Sequence, residues 1–261
     1  MDRLKAENIT VNYGEKKVIS NLSLNIPNQK MIAIIGANGS GKSTLLKTLT
    51  RILPYQNGQV VLDGKQLNQL PTLEIAKQMA ILPQTPESIS DLIVSDLISY
   101  GRTPYLNRFG HLSKEDYGIV EWAMQATHTL QFRNQTLDQL SGGQRQRVWI
   151  ALALAQQTDF IFLDEPTTYL DIAHQLEVLQ LLQALNRQEK RTIVMVLHDI
   201  NQAARFSDYL IAMKDGKIIK SGTADEVITV EVLREIYQIE ASIALDPKTN
   251  KPMLLTYDLL K

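Results

Sequence analysis

The sequence predicts an α/β fold built around a phosphate-binding loop, and three observations carry the prediction. The apolar run Met31–Ile35 passes into Gly36-Ala37-Asn38-Gly39-Ser40-Gly41-Lys42-Ser43-Thr44 and then into Leu45-Leu46-Lys47-Thr48-Leu49, the order of strand, glycine loop and helix. Phe160–Leu163 and Thr192–Leu197 are continuous apolar runs, as buried parallel strands require. Between them, Ile172–Leu185 carries apolar residues at helical spacing.

The loop has the spacing G-x-x-x-x-G-K-[ST] of a P-loop, which binds a nucleoside triphosphate. Gly36, Gly39 and Gly41 let the backbone curl so that successive N–H groups point inward as an anion nest. The helix beginning near Gly41 adds its positive dipole end. Lys42 supplies a point charge for the outer phosphates, and the Ser43 hydroxyl a ligand for Mg²⁺. The expected ligands are thus a nucleoside triphosphate and Mg²⁺, with residues 36–44 as the binding segment.

The other elements follow in order. Leu4–Tyr13 and Val18–Ile26 carry partial period-2 patterns around the polar turn Gly14-Glu15-Lys16-Lys17, so the first part reads as β. Val60-Val61-Leu62 before Asp63-Gly64 is a strand with hairpin chemistry. Met79–Leu82 is a short strand stopped by Pro83. From about Ser90 to Leu137 the pattern turns helical, with Leu92, Val94, Leu97 and Ile98, then Ile119, Val120, Trp122, Ala123 and Met124. Asp208–Lys214 and Lys217–Ser221 flank a second hairpin signal, Asp215-Gly216. Ala241–Leu245 and Met253–Thr256 flank Asp246-Pro247-Lys248-Thr249-Asn250, a terminal hairpin. The expected organisation is one domain over 2–240, with a helical insertion at 85–140, followed by a hairpin-like tail over 241–261.

Composition narrows the class. The 261 residues are 44% hydrophobic, enough for a sizeable core, and carry a formal net charge of -1. No global field therefore draws the chain to nucleic acid or anionic lipid. The absence of cysteine excludes a disulfide framework and thiolate zinc. His111, His128 and His174 show no ligand spacing and read as surface or core. The N-terminus does not read as a signal peptide. The longest apolar run, Val148–Ala155, falls far below the ~20 residues of a membrane helix. The expectation is a soluble, cytoplasmic protein that another chain must hold at any membrane it serves.

Two further motifs specify the chemistry. The apolar run Phe160–Leu163 ends in Asp164-Glu165. A buried strand ending in an acid is how P-loop enzymes hold Mg²⁺, which gives that role to Asp164. Glu165 can orient or deprotonate a water at the γ-phosphate. Leu140-Ser141-Gly142-Gly143-Gln144 opens a helix over Arg145–Gln156, a second anion-binding geometry that lacks a lysine. Two helix N-termini for one nucleotide are reconciled by a head-to-tail homodimer, in which the loop of one copy meets the P-loop of the other.

Together these residues resemble the ATP-binding cassette (ABC) ATPases over nearly the whole chain. The motifs are GANGSGKST at 36–44, Gln84 in ILPQ, LSGGQ at 140–144, FIFLDEP at 160–166, TYLD at 168–171 and LHD at 197–199. The resemblance implies ATP as the nucleotide, and a P-loop core with an antiparallel β subdomain and an inserted α-helical subdomain. It implies that Tyr13 stacks on adenine and that Gln84 touches Mg²⁺ or the attacking water and senses the transport partner. It implies Glu165 as catalytic base, Asp171 in the loop crossing the dimer interface, and His198 on the γ-phosphate in the transition state. Ser141, Gly142, Gly143 and Gln144 then contact the nucleotide of the opposite copy.

Three partner classes compete: an importer, a soluble ABC ATPase of repair or translation, and an exporter. No heptad run interrupts the chain and it holds one cassette, which disfavours the soluble class, and it lacks the membrane spans of a fused exporter. An unfused exporter or a soluble ABC ATPase not linked to transport stands as the alternative to an importer. Tyr100–Tyr105, Gly110–Asp116, Thr168–Ile172, His198–Arg205 and the tail Asp246–Pro252 are similar to the ferric-siderophore importer ATPases, a pattern that vitamin B12 and haem importers share. The resemblance implies an ATPase at the cytoplasmic face of the membrane, peripheral to a two-subunit or homodimeric permease. A substrate-binding lipoprotein is an indirect partner, and nucleic acid is not one. Tyr100, Tyr105 and Phe109 either line the groove that receives a permease loop or pack within the helical subdomain.

Overall fold

The structure is a computed structural model that describes residues 2–83 and 91–260 of the chain. β1 (Leu4–Tyr13) and β2 (Lys16–Ile26) pair antiparallel across the turn at Gly14, where a φ of 58° suits glycine. β3 (Met31–Ile35) is buried at every position and delivers the chain to the glycine loop and α1 (Lys42–Leu49). β4 (Asn57–Leu62) pairs antiparallel with β1 and, through Asp63-Gly64, with the short β5 (Lys65–Gln66).

The helical stretch follows α2 (Thr72–Ala76) and β6 (Met79–Leu82). It consists of α3 (Val94–Ser99), a 3₁₀ segment over Tyr100–Tyr105 and α4 (Lys114–Ala126). α4 opens on a capping box in which Ser113 and Asp116 satisfy each other's main chain. α5 (Gly142–Ala155), the helix expected to open at Leu140–Gln144, packs on both α3 and α4. β7 (Phe160–Asp164) and α6 (Ile172–Glu189) complete this stretch.

The chain then returns through β8 (Thr192–Val196), α7 (Ile200–Phe206), β9 (Tyr209–Lys214) and β10 (Lys217–Gly222). Two short helices follow, α8 (Ala224–Val227) and α9 (Val230–Tyr237), which the sequence reading leaves unassigned. The terminal hairpin is β11 (Ile239–Leu245) and β12 (Pro252–Leu259), starting two residues before the expected boundary.

The chain divides into two compact units, each with its own core. The first joins Met1–Leu70 with Asn186–Lys261. Within it β3 lies between β8 and β9, parallel to both, and β10 adds antiparallel to β9. All five residues of β3 and of β8 are buried, which is why neither run alternates. The second unit, Pro71–Leu185, holds the parallel pair β6 and β7 with α3, α4 and α5. Among the described residues no helix is long and apolar enough to cross a membrane.

Candidate functional site

The glycine loop is held open by backbone that only glycine adopts freely. Gly36, Gly39 and Gly41 have φ of 148°, 78° and 99°. A Cβ at Gly36 would collide with the Met213 carbonyl of β9, so that position is closed to any side chain. Lys42, only 5% exposed, donates from Nζ to the Gly36 and Ala37 carbonyls at 2.9 and 3.0 Å. Its charge is therefore folded over the mouth of the loop.

Gly41 caps α1 without a side-chain hydrogen bond, and the first turn holds no acid. The helix's own first turn thus supplies its N–H groups with neither a carboxylate nor a capping hydroxyl. The Ser40 hydroxyl is buried with no hydrogen-bond partner among the described residues. A buried cation, an uncapped helix start and an unsatisfied hydroxyl converge on one loop, and this donor set fits a polyphosphate. Ser43 is half-buried on the first turn, and Thr44 is buried behind it. The loop tip, Asn38 and Gly39, is exposed. Lys42→Ala is expected to weaken ATP binding by at least ~10-fold and abolish turnover, with the fold retained. Titration calorimetry checks it, and unchanged affinity overturns the loop's assignment.

Two other expected residues lie in the same unit. Tyr13 ends β1 with its ring 49% exposed, open to stacking. His198 is exposed just after β8, where the Leu197 amide still pairs with the Ile34 carbonyl. It borders a cleft of about 530 Å³ walled also by Asp199, Tyr237 and the apolar side of β12.

Tyr237 is a residue that motif reading missed. Its hydroxyl accepts the Gly36 N–H at 3.0 Å, bracing the first glycine of the loop from the end of α9. Burial pushes this hydroxyl up to about 12, the Asp199 charge adds to the shift, and the Gly36 bond opposes it. Apolar positions Val230, Leu233 and Ile236 after a Thr229 cap signal the helix, but no local pattern signals a partner 201 residues away.

The remaining expected residues belong to the second unit. Asp164 closes β7 at 2% exposure. Glu165 follows in the left-handed region at φ 56°, a conformation that costs a non-glycine residue about 1 kcal/mol or more. Its carboxylate accepts from the Thr168 hydroxyl at 3.0 Å, which fixes the side chain as it leaves the strand. Gln84 lies outside the described residues.

Ser141 caps α5: its hydroxyl accepts the Gln144 N–H at 3.3 Å, and the Gln144 side chain accepts the Ser141 N–H at 2.9 Å. Gly142 is exposed, whereas Gly143 is buried against the His174 ring, 2.7 Å from where a Cβ would sit. Asp171 accepts from the His174 N–H at 2.9 Å and from its ring Nδ1 at 2.8 Å. The main-chain donor first, and the ring second, hold the Asp171 carboxyl below the usual range. His174 is thus the link that brings Asp171 to the Gly142-Gly143 turn, a role its sequence position did not suggest.

Tyr105 packs rather than lining an open groove: Arg102 and Lys77 lie over its ring at 3.9 and 5.3 Å, and its hydroxyl donates to the Gln156 carbonyl at 3.1 Å. Tyr100 and Phe109 are 55% and 84% exposed.

Known proteins share this architecture. The ABC transporter family matches residues 19–168. The iron(3+)-hydroxamate import ATP-binding protein FhuC of Bacillus subtilis (strain 168) is 53% identical, over 100% of this chain and 97% of its own length. The ferric enterobactin transport ATP-binding protein FepC of Escherichia coli (strain K12) is 44% identical, over 97% of this chain and 93% of its own. A bacterial ABC transporter cassette solved as a dimer superposes with a TM-score of 0.74 at 32% identity, covering 84% of this chain and 98% of that one. By fold, by loop geometry and by full-length similarity, the chain belongs to the ABC transporter family as an ATP-binding cassette.

Proposed function

We propose that this chain is the ATP-hydrolysing motor of an importer for iron(III)-siderophore, driving a separate permease from the cytoplasmic face of the membrane. The observation that carries the reading is the full-length identity to the hydroxamate-import ATP-binding protein of Bacillus subtilis, which exceeds half of all positions. The phosphate loop supplies the chemistry.

In this reading Tyr13 stacks on adenine, the loop amides and Lys42 hold the β- and γ-phosphates, and Ser43 and Asp164 hold Mg²⁺. The metal, when bound, neutralises charge between the phosphates. Glu165 orients a water and takes its proton as attack begins. His198 and Gln84 contact the reacting phosphate and water. Ser141, Gly142, Gly143 and Gln144 of a second copy close over the γ-phosphate, with Asp171 at the seam. Loss of that phosphate releases the two copies, and the opening is the work exported to the permease.

The test is uptake. Deleting the gene is expected to abolish import of radio-iron hydroxamate, and wild-type protein but not Glu165→Gln restores it. Mild-detergent purification is expected to bring down a polytopic permease and a substrate-binding lipoprotein. Unimpaired iron uptake with loss of vitamin B12 or haem uptake would transfer the motor to those substrates. Recovery with soluble complexes alone would overturn the transport reading.

A further inference from the structure

β12 is anchored at one end and bare at the other. Lys251 Nζ donates to the Arg205 and Ser207 carbonyls at 3.1 and 2.6 Å, at the C-terminal end of α7. The Asn201 side chain takes both main-chain groups of Leu254, accepting its N–H at 2.7 Å and donating to its carbonyl at 3.0 Å. Asn201 thus stands where a neighbouring strand would stand. Beyond it the edge is open, because among the described residues this sheet holds only β11 and β12.

The Leu260 N–H donates to the Gln238 carbonyl. In the alternation of an antiparallel ladder, this turns the main chain of Asp258 toward β11 and that of Tyr257 and Leu259 away. A register shift between Thr256 and Leu254 limits the regular open edge to 255–259. Tyr257 and Leu259 lie opposite Ala241 and Ile239 of β11, on one face of the hairpin. The β11 half of that face is buried, whereas Leu255, Tyr257 and Leu259 are 60%, 64% and 79% exposed. An apolar, uncovered edge is a template for strand addition.

We propose that β12 pairs antiparallel, in register about Tyr257, with β12 of a second copy of this chain, and that the contact forms without nucleotide. The segment Leu255-Thr256-Tyr257-Asp258-Leu259 is its own complement. With Tyr257 opposite its counterpart, Leu255 faces Leu259 on one side of the new sheet. Thr256 faces Asp258 on the other, a hydroxyl donor against a carboxylate, and no like charges meet. A two-fold contact demands this symmetry, whereas an unrelated partner does not. Such pairing keeps two motors together between ATP cycles, whatever the transported substrate.

The chain has no cysteine, so one introduced thiol reports one contact. In nucleotide-free protein under mild oxidation, Tyr257→Cys is expected to give mostly disulfide-linked dimer, since Cα atoms in such a pair lie ~5.5 Å apart. Asp258→Cys, off the axis and on the other face, is expected to cross-link little. Sedimentation of nucleotide-free wild type is expected to show dimer. Tyr257→Lys with Leu259→Lys is expected to raise its dissociation constant at least ~10-fold while ATP affinity stays unchanged. A monomeric wild type, with no cross-link in the Tyr257→Cys variant, overturns the proposal, as does equal cross-linking in the Asp258→Cys variant. Cross-linking of the Tyr257→Cys variant to a permease instead overturns self-pairing and places the permease on this edge.

Discussion

Glu165→Gln lowers ATP turnover by about 10²–10⁴-fold while nucleotide binding stays close to wild type. The amide keeps the size and the acceptor oxygen of the carboxylate, so the Thr168 contact at 3.0 Å survives and the left-handed turn at φ 56° is undisturbed. What it loses is proton affinity. Water is then held but not deprotonated, and ATP stays intact between two closed copies. The measurement pairs a phosphate-release assay with the ATP retained per chain after gel filtration. Retained, unhydrolysed ATP is expected from the variant and ADP from wild type. Wild-type turnover would remove Glu165 from the chemistry.

Arg102→Ala destabilises the unit of residues 71–185 by about 3–5 kcal/mol, because it strands a buried charge. The guanidinium donates from Nε to Asp116 at 2.7 Å and from Nη1 to the Ala155 carbonyl at 2.9 Å, and both ionic side chains are almost wholly buried. Burial by itself raises the Asp116 carboxyl. The Ser113 hydroxyl and amide, together with Arg102, outweigh it and hold the group below its ordinary 3.8. The pair's contribution is therefore present above that ordinary value and is lost as pH falls through the lower folded one. Denaturant unfolding at pH 7 measures the loss. The double variant Arg102→Met, Asp116→Asn is expected to recover much of it, since no lone charge remains. A single-variant loss under about 1 kcal/mol would refute the account. Arg102 also clamps the C-terminal end of α5, whose N-terminus carries Ser141 to Gln144, so ATPase activity is expected to fall in the variant even where it stays folded.

The elements that position the chemistry were legible because their signals are local. Met31–Ile35 must be a buried strand, and the glycines after it admit backbone that other residues resist. Phe160–Leu163 ends in its acid within the same short run. The bracing was not legible. Tyr237 reaches Gly36 from the far end of the chain, and Arg102 reaches Ala155 across 53 residues. His174 looked inert because its work is to position Asp171 and fill the space over Gly143, not to bind a ligand. The helix after Leu140 was legible from its Ser141-Gly142-Gly143 start, but its packing on α3 and α4 was not, because those contacts join segments far apart in the chain.

The order of synthesis gives the split first unit a further consequence. β3 leaves the ribosome with five buried-type residues and no neighbour, since its partners in β8 begin about 160 residues later. At ~5–20 residues per second that wait is about 10–30 s. Pro71–Leu185 is continuous and can condense as it emerges. The strand that will present the phosphate loop is thus among the first made and the last sheltered, and until β8 and β9 arrive it is a client for chaperones rather than a site for ATP.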